Sequence, residues 1–156
     1  MNENLNKALN LHKLGKLDEA EKIYLILLKK EIDTSTVLQL LGTLYLQKKN
    51  FSLSEKYFIK SLKIEPNNPH TLNNLGILNK QIKEIEKSIK YFDLNINKNN
   101  FLESWQNKSS ILLENDRFDE GLEFSKKANT NYPDDKKIKN NLAIFLYKCG
   151  FQNEAL

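Results

Sequence analysis

The 156-residue chain is 40 % hydrophobic and 28 % charged, the make-up of one globular domain and not of a wholly disordered segment. Its net charge of +4 comes from lysines scattered among acids, with Arg117 as the only arginine; a nucleic-acid surface would group basic residues with stacking aromatics, so that partner class is disfavoured. Cys149 is the only cysteine, which excludes an internal disulfide and a cysteine-based zinc site, and five glycines with three prolines are too few turn residues for a β-rich or loop-rich fold.

The predicted elements are helices throughout. The first break falls at Leu14-Gly15-Lys16. Asp33-Thr34-Ser35 then opens a helix in which Leu38, Leu41, Leu44 and Tyr45 recur at three and four, and Lys48-Lys49-Asn50 breaks the pattern. Glu65-Pro66-Asn67-Asn68-Pro69 ends one helix and starts another, carrying Leu72, Leu75 and Leu78. Tyr132-Pro133-Asp134-Asp135 does the same before Leu142, Phe145 and Leu146, and Cys149-Gly150 marks the last break. Strict alternation over a strand's length is absent, and the helices come out at about 12–14 residues.

The helices repeat. Counting from Ser35, Leu38, Leu41-Gly42, Tyr45, Phe58 and Pro66 occupy positions 4, 7, 8, 11, 24 and 32 of a 34-residue unit. From Pro69, Leu72, Leu75-Gly76, Ser88 and Phe92 fall in the same places. A unit from Met1 has Ala8, Leu11, Gly15, Ala20 and Tyr24 in register. One from Leu102 has Trp105, Ser109, Leu112, Phe118, Gly121, Ala128 and Pro133; one from Lys136 has Leu142-Ala143, Leu146, Gly150 and Ala155. Small residues at 8 and 20 let the two helices of a pair approach, glycine at 15 tolerates a left-handed turn, and proline at 32 ends the second helix.

The chain therefore resembles the tetratricopeptide repeat family over essentially its whole length. The resemblance implies an all-α fold: a right-handed superhelix of antiparallel helix pairs, about four and a half units at 1–34, 35–68, 69–101, 102–135 and a partial 136–156. Asn79 at position 11 and Asn95 at 27 depart from the pattern, placing polar atoms where the family usually buries carbon, and leave the packing of the third unit open.

In this family the first helix of each pair lines a concave groove at positions 2, 5, 6, 9, 12 and 13. The candidate peptide-binding residues are then Asn6, His70, Asn73, Asn74, Lys80, Gln106, Asn107, Asn140 and Asn141. Position 6 is asparagine in four of five units, Asn6, Asn74, Asn107 and Asn141, and is broken only by Leu40. An amide carries both a donor and an acceptor, so such a row can grip a peptide backbone without reading its side chains. It is similar to the asparagine ladder in the tetratricopeptide superhelix of O-linked N-acetylglucosamine transferases; the alternative is a solvated or purely intra-groove role. The carboxylate clamp of chaperone-binding members is not matched, because no unit supplies its opening Lys-and-Asn pair.

The sequence points to no catalysis. His12 and His70, 58 residues apart, read as groove or surface residues without a metal, Cys149 as a packing thiol and Trp105 as a packing residue. Neither a P-loop nor a nucleophile elbow is present, and no cofactor is implied. The fourth unit is acidic (net −4), which on the sharper reading favours a basic ligand segment near Glu103 and Glu114. With no leader and no membrane-length apolar run, the chain reads as cytoplasmic, without membrane insertion. The expected function is a protein-interaction module that takes an extended peptide or a partner helix. Because the fifth unit stops early, we expect the N-terminal part of a longer protein, of the kind the family fuses to glycosyltransferase or sulfotransferase domains. Self-association through the open C-terminal end is the third reading.

Overall fold

The computed structural model describes residues 3–151; Ala155, placed at position 20 of the last unit, lies outside them. The described residues form nine helices and no strand: α1 (Glu3–Lys13), α2 (Leu17–Lys29), α3 (Thr34–Gln47), α4 (Phe51–Ile64), α5 (Pro69–Gln81), α6 (Ile85–Asn99), α7 (Leu102–Glu114), α8 (Phe118–Asn131) and α9 (Lys136–Lys148). Odd-numbered helices are the first members of the pairs, here called A; even-numbered ones are B.

The turn between A and B is built the same way five times. Residues Gly15, Lys49, Lys83, Asp116 and Gly150 all have φ between 56° and 88°. At each, the N–H bonds three residues back and the next N–H bonds five residues back, as Lys83 N–H to the Lys80 carbonyl and Glu84 N–H to the Asn79 carbonyl. This is the Schellman closure, in which a left-handed residue satisfies the last helical carbonyls. Only two of the five carry glycine, so three side chains sit in a costly backbone region. Lys83→Gly should therefore raise stability by about 0.5–1 kcal/mol, read as a higher urea midpoint at unchanged m-value.

Among the helix starts expected from the sequence, those at Asn68 and Asp135 are capped by a side chain and the one at Asp33 is not; Asn50 adds a further cap. The Asn50, Asn68 and Asp135 side chains accept the N–H groups of Leu53, Thr71 and Ile138. Asp33 makes no such bond: its φ is 47°, whereas side-chain capping needs a β-region backbone.

Inside a pair, an aromatic ring at position 24 lies on the glycine at position 8. A Cβ on Gly42 would come within 2.5 Å of the Phe58 ring, and one on Gly76 within 2.3 Å of Phe92. The small residue at position 20 adds a bond to the same glycine, Ser54 Oγ to the Gly42 carbonyl at 2.8 Å and Ser88 Oγ to the Gly76 carbonyl at 2.7 Å. The fourth pair differs because position 24 is Ser125, which meets Ser109 hydroxyl to hydroxyl at 2.8 Å. The missing ring comes from the next A helix instead: Phe145 of α9 packs on Gly121, leaving no room for a Cβ there.

Between units, polar staples set the spacing. Lys48 bridges Asp18 (2.5 Å) and Glu21 (2.6 Å), and Tyr45 donates to Glu21. Arg117 bridges Glu86 and Glu120, each at 2.6 Å. The two asparagines of the third unit are both satisfied, with Asn79 Nδ2 donating to the Leu75 carbonyl at 2.8 Å and Asn95 entering the network described below.

Candidate binding groove

Contacts between helices place the A helices on the inside. α3 packs on α5, α5 on α7 and α7 on α9, whereas no comparable contact joins α2 to α4, α4 to α6 or α6 to α8. A row whose members touch lies at the smaller radius of a curved stack, so the A helices form the concave wall.

On that wall the asparagines reach sideways to the preceding unit. Asn74 Nδ2 donates to Thr43 Oγ1 at 3.0 Å, and Asn107 Nδ2 donates to Asn73 Oδ1 at 3.0 Å. Thr43 is itself fixed, donating to the Gln39 carbonyl and accepting from Gln39 Nε2, both at 3.1 Å. Gln106 Nε2 donates to Asp135 Oδ2 at 2.9 Å, the same carboxylate that caps α9. Lys80 pairs with Glu114 at 2.6 Å across the α5–α7 rim. That pair uses one of the two acids expected to attract a basic ligand; Glu103 remains exposed.

The structure thus joins Asn73 to Asn107 at the α5–α7 joint, while Asn74 turns to Thr43 of α3 and Gln106 to Asp135 at the start of α9. Asn73 stands behind the row: it is only 8 % exposed, and its Oδ1 accepts from both Ser104 (3.2 Å) and Asn107. Asn141 is 6 % exposed, and its Nδ2 has no hydrogen-bond partner among the described residues. Asn140 and Asn6 are exposed, with Leu40 between Asn6 and the rest of the row. His70 is exposed at the start of α5, edge-on to Phe101 at 5.3 Å.

Three polar residues that the repeat pattern did not single out for these roles shape the wall. Asn95, fully buried on α6, donates to the Pro69 carbonyl (2.9 Å) and to Ser104 Oγ (2.8 Å) and accepts from Asn99 (2.8 Å). Through Ser104 and Asn73 it connects to Asn107. Lys108, at the apolar position 7 of the fourth unit, pairs with Asp93 at 2.6 Å and lies 4.7 Å from the centroid of the Phe124 ring. His12 is not a surface residue: it is 8 % exposed, with Nδ1 3.2 Å from the Tyr24 hydroxyl of α2. Burial pulls the His12 pKa down, against a smaller upward influence of the Gln47 side chain, and burial pushes the Tyr24 phenol up to about 12.

A family model described as Tetratricopeptide repeat matches residues 35–68 and 102–135. These stretches hold α3–α4 and α7–α8, two of the pairs whose A helices form the wall. These two stretches are tetratricopeptide repeats. The fold of the chain is shared with solved structures of low identity. PilF of Pseudomonas aeruginosa is 15 % identical with a TM-score of 0.85, over 97 % of this chain and 70 % of that one. MamA of Desulfovibrio magneticus RS-1 is 16 % identical with a TM-score of 0.77, over 99 % and 90 %. A tetratricopeptide repeat protein of Parabacteroides merdae is 17 % identical with a TM-score of 0.81, over 98 % and 61 %. At such identities the likeness shows the fold alone. A comparison with curated proteins gives no match. Repeats of this family mediate contacts between proteins, and among the described residues no helix is long and apolar enough to cross a membrane.

Proposed function

We propose that the groove binds an extended peptide through the main-chain-like chemistry of its asparagine amides. The observation that carries this reading is the sideways bonding of Asn74 and Asn107. Each uses an N–H to anchor itself on the preceding unit, so its orientation is set before any ligand arrives. Each keeps its carbonyl oxygen free of bonds to other described residues, and an amide has a second N–H as well. A side chain held in its binding orientation loses little entropy on complex formation. Asn141, with an unpartnered and nearly buried donor, extends the same chemistry onto α9.

The double variant Asn74→Ala, Asn107→Ala tests this. It should keep the helical circular dichroism of the parent and lose at least about tenfold in affinity for peptides selected on the parent from a random dodecapeptide display library. Unchanged affinity removes the amides from the mechanism.

A further inference from the structure

The outer helices carry a second surface, on the side away from the groove. In α2, α4 and α6 the stripe marked by Tyr24, Phe58 and Phe92 is buried in the core. The opposite stripe is exposed. From residue 22 to 30, the exposed side chains are Lys22, Leu25, Ile26, Lys29 and Lys30. From 56 to 64 they are Lys56, Ile59, Lys60, Lys63 and Ile64, and from 87 to 98 Lys87, Lys90, Leu94, Asn97 and Lys98. Every charge in this set is positive. Exposed acids lie before these stretches (Asp18, Glu19, Glu55, Glu86) or after them (Glu31, Glu65), and the half-buried Asp93 is taken by Lys108. Of the lysines in the set only Lys87 forms an ion pair among the described residues, with Glu84 at 3.5 Å.

The outer helices run in the same sense, so the three stretches lie side by side on the convex wall. The next outer helix does not continue them: α8 exposes Glu123 beside Lys126 and Lys127, and no large hydrophobic. The helix dipole favours lysine toward a C-terminus but gives no reason for aliphatic side chains in water between the lysines. Leu25, Ile26, Ile59, Ile64 and Leu94 are half of the exposed large hydrophobics among the described residues. Shallow hollows open beside them, one lined by Leu25, Ile26, Leu28 and Lys29 and another by Lys87, Lys90, Tyr91 and Leu94.

We propose that this face rests on an anionic membrane surface, lying on the bilayer and not crossing it. Aliphatic side chains spaced between lysines match the headgroup layer: the short apolar groups dip in, and the lysine ammoniums reach lipid phosphates on flexible stems. The exposed set contains no arginine fork for paired contacts to carboxylates and no aromatic ring for stacking on bases, which disfavours an acidic protein or a nucleic acid as the occupant. Such docking turns the concave groove away from the bilayer and leaves it open; it does not depend on the groove reading above.

Flotation of the full chain tests this, with vesicles of phosphatidylcholine alone and of equal parts phosphatidylcholine and phosphatidylglycerol. The protein should float with the anionic vesicles and not with the neutral ones, and less as sodium chloride is raised. Lys56→Glu, Lys60→Glu, at exposed positions, should weaken binding at least about tenfold. Ile26→Ser, Leu94→Ser should weaken it about fivefold. Lys126→Glu, Lys127→Glu on α8 makes the same change in net charge outside the face and should keep most of the parent's binding. Circular dichroism checks that each variant keeps its helices. Absence of binding to anionic vesicles, binding that survives Lys56→Glu, Lys60→Glu, or an equal loss from the α8 pair overturns the proposal. So does an oligonucleotide bound with the same lysine dependence while Ile26→Ser, Leu94→Ser floats like the parent, which would assign the face to nucleic acid.

Discussion

Phe92→Ala should lower the unfolding free energy by about 3–5 kcal/mol, a fifth or more of the roughly 5–15 kcal/mol that a small domain possesses. The ring is fully buried and lies on the backbone of Gly76, so no side chain is positioned to fill the void. The complementary change is as informative. Gly76→Ala improves intrinsic helix propensity by about 1 kcal/mol, yet its new Cβ would stand 2.3 Å from the Phe92 ring. Overpacking of that kind costs about 1–3 kcal/mol, and Phe92 has no room to retreat because it is enclosed. Gly76→Ala should thus be destabilising in the wild type and stabilising in the Phe92→Ala background, where the methyl enters the void. Urea unfolding of the four proteins of this cycle gives the coupling directly, with a change of sign expected. A stabilising Gly76→Ala in the wild type would mean that ring and glycine do not set the spacing of α5 and α6.

Asn95→Leu should cost about 1–3 kcal/mol and also weaken peptide binding, although residue 95 lies on α6, in the outer row of helices. Leucine is close in size and stands at position 27 of the first unit, as Leu27. Here it would remove the side-chain donor to the Pro69 carbonyl and the donor that orients Ser104, and leave the Asn99 amide without the Asn95 acceptor. Ser104 and Asn107 share Asn73 Oδ1 as acceptor, so a freed Ser104 loosens the anchor of a groove amide. Thermal melting measures the first effect. Titration of library-selected dodecapeptides measures the second, expected as an affinity loss smaller than that of Asn107→Ala. Equal binding at lower stability would confine Asn95 to a structural role.

Much of the fold was legible from residue spacing. The 34-residue recurrence of small residues at position 8 and aromatics at 24 is a packing requirement, and Gly42 under Phe58 and Gly76 under Phe92 meet it in space. Turn positions were readable even where glycine is missing, because Lys49, Lys83 and Asp116 occupy the slot of Gly15 and Gly150 with the same left-handed backbone. Pair four could not be read this way. Its position 24 is serine, and the ring that compensates, Phe145, belongs to the next A helix, which no count within one unit reveals.

The candidate site was less legible than the fold. Counting positions put Asn73 and Asn74 side by side on the groove, yet neighbouring residues on a helix point about 100° apart. Asn73 therefore faces the joint with α7, and Asn74 reaches Thr43 of α3. His12 met the groove criteria by number, but its burial and its bond to Tyr24 depend on how close α2 lies to α1.

By itself, then, the sequence determined the helices, their pairing and the repeat, because each follows from contacts within one repeating unit. Only the tertiary structure decided which groove amides are anchored, that Asn95 reaches the groove through Ser104 and Asn73, and where an unmet donor lies. Those properties arise where one unit meets the next. There a hydrogen bond forms or fails over tenths of an ångström, a scale set by the stacking of helices and not by spacing along the chain.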